Sequence, residues 1–282
     1  MISDEAWLRD TAPQALAMAS EHCVDCGWYH GPWPYFRRLG VVSTAAVHED
    51  FLTGHIRDLA CDRPALQVLV SGTTDHAMLA MVLDACGSRS AAITVADICP
   101  TPLALCRRYA EARGTGIDTF CGNILEFPAE QRFDLICTHA FMGYFDDTER
   151  ARLIRRWYGL LRPGGSVVTV QRLRENHPPG LARFSPGQAG AFRAQVLQAA
   201  RDRQDEFDMP AAQLADYAAE FAARFVSHPV RSRTDLRHMF VDAGFALPVF
   251  AIHDVGHQAA GAVSGPSVPA QAEYVHIMAT RT

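Results

Sequence analysis

Between residues 66 and 173, short apolar runs alternate with amphipathic segments, and this alternation restricts the fold more than any other feature of the chain. The apolar runs are LQVLVSG (66–72), AAITVADI (91–98), IDTFCGN (117–123), FDLICTH (133–139) and SVVTVQRL (166–173). Between them lie HAMLAMVLDACG (76–87), TPLALCRRYAEARG (101–114) and DTERARLIRRWYGLLRPGG (147–165), which carry helical periodicity and end on Gly or Pro-Gly-Gly. Runs that are apolar on both sides belong to a parallel sheet covered on both faces. Two further strands, FALPVFAIHDV (245–255) and EYVHIMATR (273–281), flank a Gly/Pro/Ala-rich loop over 256–272. The expectation is an α/β fold, doubly wound around a mostly parallel seven-stranded sheet, with an N-terminal helical lid and a helical insertion after the fifth strand. The corresponding segments are 1–62 (helices and an aromatic loop), 63–173 (ligand-binding core), 174–228 (inserted helices) and 229–282 (remainder of the core).

Composition removes several classes of function. All 26 basic side chains are Arg, so Schiff-base chemistry and a P-loop lysine are excluded. A net charge of -5 without a basic stripe argues against nucleic acid. No window is apolar for long enough to span a bilayer, and the acidic start MISDEAWLRD lacks signal-peptide order, so a cytoplasmic protein with no membrane partner is expected. Cys23, Cys26 and His30 make a C-x2-C-x3-H pattern, but no second Cys pair completes it, and no metal is expected.

Four places carry chemistry. VLVSGTTDHAML puts a tight loop after the first strand, where Gly72 lets backbone N–H groups approach an anion, and Ser71, Thr73, Thr74 and Asp75 add polar contacts. Thr74 or Asp75 can equally cap the helix that follows. Asp97 ends the second strand, where a carboxylate accepts ribose hydroxyls or caps the next helix. In CGNILEFP, Asn123 offers a side-chain donor and an acceptor, or makes a turn. FDLICTHAFMGYF and LLRPGGSVV complete the fourth strand and the entry to the fifth.

This set of elements and motifs resembles the class I methyltransferases that use S-adenosylmethionine (SAM), over residues 66–282 apart from the helical insertion. Arg162-Pro163-Gly164-Gly165 before an apolar strand is the most specific part of the resemblance. The glycine loop departs from it: Val70 stands where an acid is usual, and Thr74 and His76 stand where further glycines are usual. The resemblance implies SAM bound by Ser71, Gly72, Thr73, Thr74, Asp75, Asp97, Ile98, Asn123, Ile124, Thr138 and His139. It also implies a last strand that runs antiparallel.

Methyl transfer needs alignment and water exclusion first, and a base only for a protonated acceptor. His139 and Tyr144, just past the fourth strand, are the candidate catalytic residues. Trp28, Tyr29, His30, Trp33 and Tyr35 in the aromatic loop, with Arg172 after the fifth strand, are candidates for holding a small-molecule acceptor; packing of the rings within the helical segment is the competing role. Two other functions stay open: cyclisation or cleavage of SAM with release of methylthioadenosine, as in azetidine-2-carboxylate synthases, and a SAM-binding module without turnover. A homodimer is also left open.

Overall fold

The computed structural model describes residues 4–63, 65–254, 264–269 and 273–282. They cluster into two compact units. One comprises residues 1–44, 181–227 and 255–272, the other 45–180, 228–254 and 273–282. The break at 44/45 leaves the helix of residues 49–62 with the sheet.

The helical unit contains α1 (Asp4–His22), α2 (Gly27–His30) and α3 (Trp33–Arg38). Two further helices of this unit, Pro186–Asp202 and Ala211–Arg224, carry Phe192, Val196, Leu214 and Phe221 on their buried faces. Ser185 and Gln188 form a reciprocal capping box that starts the first of these helices at Pro186. The core of the unit is aromatic. Tyr35, Phe36, Phe192 and Phe221 are fully buried, and Tyr29 stacks on Phe221 with ring centroids 5.8 Å apart. Short strand pairs, Ala182–Arg183 with Val226–Ser227 and Ser264–Gly265 with Val268–Pro269, complete it. The loop expected over 256–272 lies outside the described residues except for this second pair.

The sheet unit contains α4 (Glu49–Asp62), α5 (Ala77–Cys86), α6 (Pro100–Ala112), α7 (Asp147–Leu160), and the helix Arg233–Asp242. Its seven strands are β1 (Ala65–Ser71), β2 (Ser90–Asp97), β3 (Asp118–Cys121), β4 (Phe133–His139), β5 (Leu161–Arg172), β6 (Val249–Asp254) and β7 (Glu273–Thr280). The order across the sheet is β3-β2-β1-β4-β5-β7-β6. β1 to β5 pair in parallel, and β7 pairs antiparallel with both β5 and β6. β1 is central, and the chain leaves it toward β2 on one side and β4 on the other. Its carboxyl end is therefore the topological switch point where open α/β sheets bind ligands.

Three boundaries differ from expectation. The segment 41–62 begins with a 3-10 turn, Ala45–His48, before α4. β6 starts at Val249, because Pro248 has no N–H to give a ladder. α7 stops at Leu160, and Arg162–Gly165 bulge out of β5 between the pairs Phe133–Leu161 and Leu135–Ser166. Gly164 there has φ +74°, and a Cβ on Gly165 would lie 2.9 Å from the Arg162 carbonyl oxygen. Beneath the bulge the buried Asp134 carboxylate accepts from Arg63 Nη1 at 2.6 Å and from the Gln67 amide at 2.8 Å. The Pro-Gly-Gly signal is thus a structural device that joins β4, β5 and the entry to β1.

Candidate active site

Gly72 follows the tip of β1 with φ +75°, and its amide donates to the Ala96 carbonyl at 2.8 Å. A Cβ at this position would overlap the Phe141 ring. Both the left-handed backbone and the close approach require glycine. Phe141 reaches this point because Ala140, just past β4, itself adopts φ +53° and turns the chain sharply. A left-handed Ala costs about 1–3 kcal/mol, a strain that clusters at functional sites.

Asp97 sits at the tip of the neighbouring strand. Its Oδ2 accepts from the Thr73 amide at 3.0 Å and its Oδ1 from the Cys99 amide at 2.8 Å. One carboxylate thereby ties the loop after β1 to the loop after β2. Burial raises its pKa to about 6, against the opposing pull of the Thr73, Cys99 and Ile98 amides.

The other expected cofactor residues divide into two groups. Thr73 lies in the loop, and its hydroxyl donates to the Asp75 carbonyl. Thr74 is half-buried in the same loop. Ile98, beside Asp97, is 74% exposed, a large apolar side chain facing outward at the strand tip. Asn123 is exposed, and its Oδ1 accepts the Leu125 amide at 3.0 Å, which makes a turn and leaves the side-chain NH2 available. The remaining residues point inward. The Asp75 carboxylate is buried and accepts the Ala77 amide at 2.8 Å, so it caps α5. The Ser71 hydroxyl is fully buried and accepts from the Trp157 indole at 3.0 Å. Ile124 packs in the main core beside Phe127 and Phe133. Thr138 is fully buried, with its hydroxyl unpartnered among the described residues. His76, where a glycine is usual, is buried and stacks on Tyr109 with ring centroids 4.7 Å apart.

His139 ends β4, the next strand tip beyond Gly72. Burial lowers its pKa to about 4, so the ring is neutral near pH 7. Its Nε2 is buried without a partner among the described residues. Tyr144 closes a 3-10 turn, Phe141–Tyr144, and is exposed. Arg172 ends β5, buried, its pKa lowered by burial. Arg174, two residues on, is also pushed down by burial, to about 10. Within the helical unit, His30, Trp33 and Tyr35 are buried, and the Tyr35 hydroxyl donates to Asp208 at 2.9 Å. Trp28 and Tyr29 pack against the same aromatic core. The structure therefore gives these rings a packing role in their own unit.

Sequence reasoning missed Phe141, although its position after a strand-end motif was a signal. It also missed a histidine cluster in the sheet unit formed by His48, His253 and His276. The signal available was a single His at an inward position in each of two apolar strands.

Residues 68–165 match the family described as "Methyltransferase domain". No curated protein matches the sequence. Among solved structures, the chain is similar to a protein of Galdieria sulphuraria provisionally assigned as a sarcosine dimethylglycine methyltransferase. That likeness has 11% identity and a TM-score of 0.51, covering 89% of this chain and 98% of the other. A SAM-dependent methyltransferase of Methanosarcina mazei gives 17% identity and a TM-score of 0.49, covering 78% and 93%. The N-methyltransferase NodS of Bradyrhizobium japonicum, solved with S-adenosylhomocysteine (SAH), gives 14% and 0.46, covering 97% and 98%. Residues 68–165 thus carry the pattern of a methyltransferase domain, and the likeness to the Galdieria protein is one of fold. SAM, the cofactor such a domain implies, is met best by Asp97, whose carboxylate stands at the tip of β2 beside the loop after β1.

Proposed function

We propose that this protein methylates a small-molecule acceptor in the cytoplasm. The observation that carries the reading is the row of adjoining strand tips, with Asp97, Gly72 and His139 at the carboxyl ends of β2, β1 and β4 inside the methyltransferase domain. When bound there, SAM supplies an electrophilic sulfonium methyl group. Asp97 receives the ribose hydroxyls, and exposed Ile98 and the free amide of Asn123 receive the adenine. His139, neutral near pH 7, accepts a hydrogen bond from the acceptor's O–H or N–H and orients it for in-line attack. Arg172 and Tyr144 are the groups available to hold an acidic acceptor. No described helix is long and apolar enough to cross a membrane, and the net charge of -5 opposes a nucleic-acid substrate.

A second reading keeps the cofactor and changes the reaction. Thr74 and His76 stand where glycines are usual, and Phe141 covers Gly72, so the aminobutyryl arm would meet a different wall. Intramolecular attack on SAM would then release methylthioadenosine. Incubation with SAM, with and without a pool of small hydroxy, amino and carboxylic acids, separates the two. Methyl transfer gives SAH only when an acceptor is present. Methylthioadenosine formed without an acceptor would replace it with the second reading.

A further inference from the structure

His48, His253 and His276 come from three elements of the sheet unit. His48 ends the 3-10 turn before α4, His253 lies on β6 and His276 on β7. The register explains the meeting. His276 pairs with Ala251, and His253 pairs with Tyr274, so both imidazoles stand on one face, two residues apart along adjacent strands. His139 is on the same face, since it pairs with Val170, which in turn pairs with His276. α4 and its preceding turn bring His48 onto that face.

Each of the three rings offers a nitrogen, and the three nitrogens lie within 4.8 Å of one another. His276 Nε2 and His48 Nδ1 are 3.0 Å apart. Three imidazoles on one tetrahedral ion of about 2.0–2.1 Å bond length would have nitrogens about 3.3 Å apart. Small rotations of the rings reach that arrangement. Phe51 stacks on His276 at 4.2 Å and Tyr274 packs on His48 at 4.6 Å, which walls the cluster with apolar surface.

Packing alone is a poor explanation for these rings. His48 is 2% exposed, and its Nε2 has no partner among the described residues. Imidazoles converging from three elements are a ligand set for a transition metal.

We propose that His48, His253 and His276 bind one first-row divalent transition-metal ion, of the zinc or iron(II) kind, with at least one coordination position open. His139, whose ring centroid is 5.5 Å from that of His48, places this ion beside the β4 tip. The proposal does not depend on the identity of the acceptor or on methyl transfer.

The test uses the whole chain, purified without an affinity tag that binds metals. Metal content is measured by plasma mass spectrometry, and the chelator-stripped protein is titrated with Co2+ alone. One equivalent of metal per chain is expected, together with visible Co2+ bands saturating at one equivalent. His253→Ala, at a half-buried position, should weaken Co2+ binding by about 10- to 100-fold or more, and His48→Gln should do the same. Cys23→Ser should leave it unchanged. If a variant fails to fold, the wild-type titration alone decides. No Co2+ bands, or bands that survive both histidine substitutions in folded protein, would overturn the site.

Discussion

Asp97→Asn removes one charge and almost no volume, and its effects on folding and on ligand binding separate cleanly. The Asp97 carboxylate accepts two backbone amides, from Thr73 and Cys99. In the variant one of these must face an NH2 group, a loss of about 1–3 kcal/mol. Against this, the rise of the Asp97 pKa from 3.8 to about 6 through burial means that its charged form costs the folded state up to about 3 kcal/mol near neutral pH. That cost is absent below the unfolded value near 3.8 and is complete above about 6, so stability from this group falls as pH rises across that window. The two effects oppose, and the variant should unfold within about 2 kcal/mol of wild type at pH 7. Binding has no such compensation. A hydrogen bond to a charged group contributes about 1.5–3 kcal/mol, and the ribose offers two hydroxyls, so SAH affinity should fall by about 100-fold or more. Wild-type affinity should also weaken as pH drops below about 6, approaching tenfold per pH unit. The variant should show no such dependence. Calorimetric titration with SAH between pH 5 and 8, beside thermal unfolding, reads both. A variant that binds SAH within about threefold of wild type, or a flat wild-type profile, refutes the ribose role of Asp97.

Gly72→Ala should cost about 2–5 kcal/mol, from the left-handed backbone and the overlap with Phe141, measured by chemical denaturation; adding Phe141→Ala should recover part of the loss. Asp134→Ala leaves the Gln67 amide and Arg63 without their shared acceptor and should lower stability by about 2–4 kcal/mol, with SAH affinity of the folded fraction little changed. His139→Gln should reduce single-turnover methyl transfer by about 100-fold while SAH binding holds, which stopped-flow and calorimetry together would show; equal loss of both would remove His139 from the acceptor side.

Much of this architecture is legible in the sequence, because it depends on local patterns. Apolar runs of four to eight residues and helix-stopping glycines place the strands and helices within a few residues. Asp97 and Gly72 are legible because a strand tip and a required left-handed turn leave few residue choices. Ile124 is not, since it packs into the core just after the turn made by Asn123, while Ile98 past the end of β2 is exposed. The aromatic loop is ambiguous for a similar reason: rings at 28–35 serve equally in a pocket or a core, and only the positions of Phe192 and Phe221 decide. The histidine cluster is hidden because His48 lies over 200 positions before His253 and His276, and those two meet through strand register. In the glycine loop, where the sequence departs most from the family pattern, the altered residue His76 is taken up by packing: it is buried and stacks on Tyr109.

The most direct test of the account is a crystal structure of the protein with SAH bound. The account predicts both ribose hydroxyls within hydrogen-bond distance of the Asp97 carboxylate, the amino-acid arm over Gly72, and the sulfur directed toward His139. A nucleoside bound elsewhere, or an Asp97 carboxylate that still accepts only the Thr73 and Cys99 amides, would contradict it.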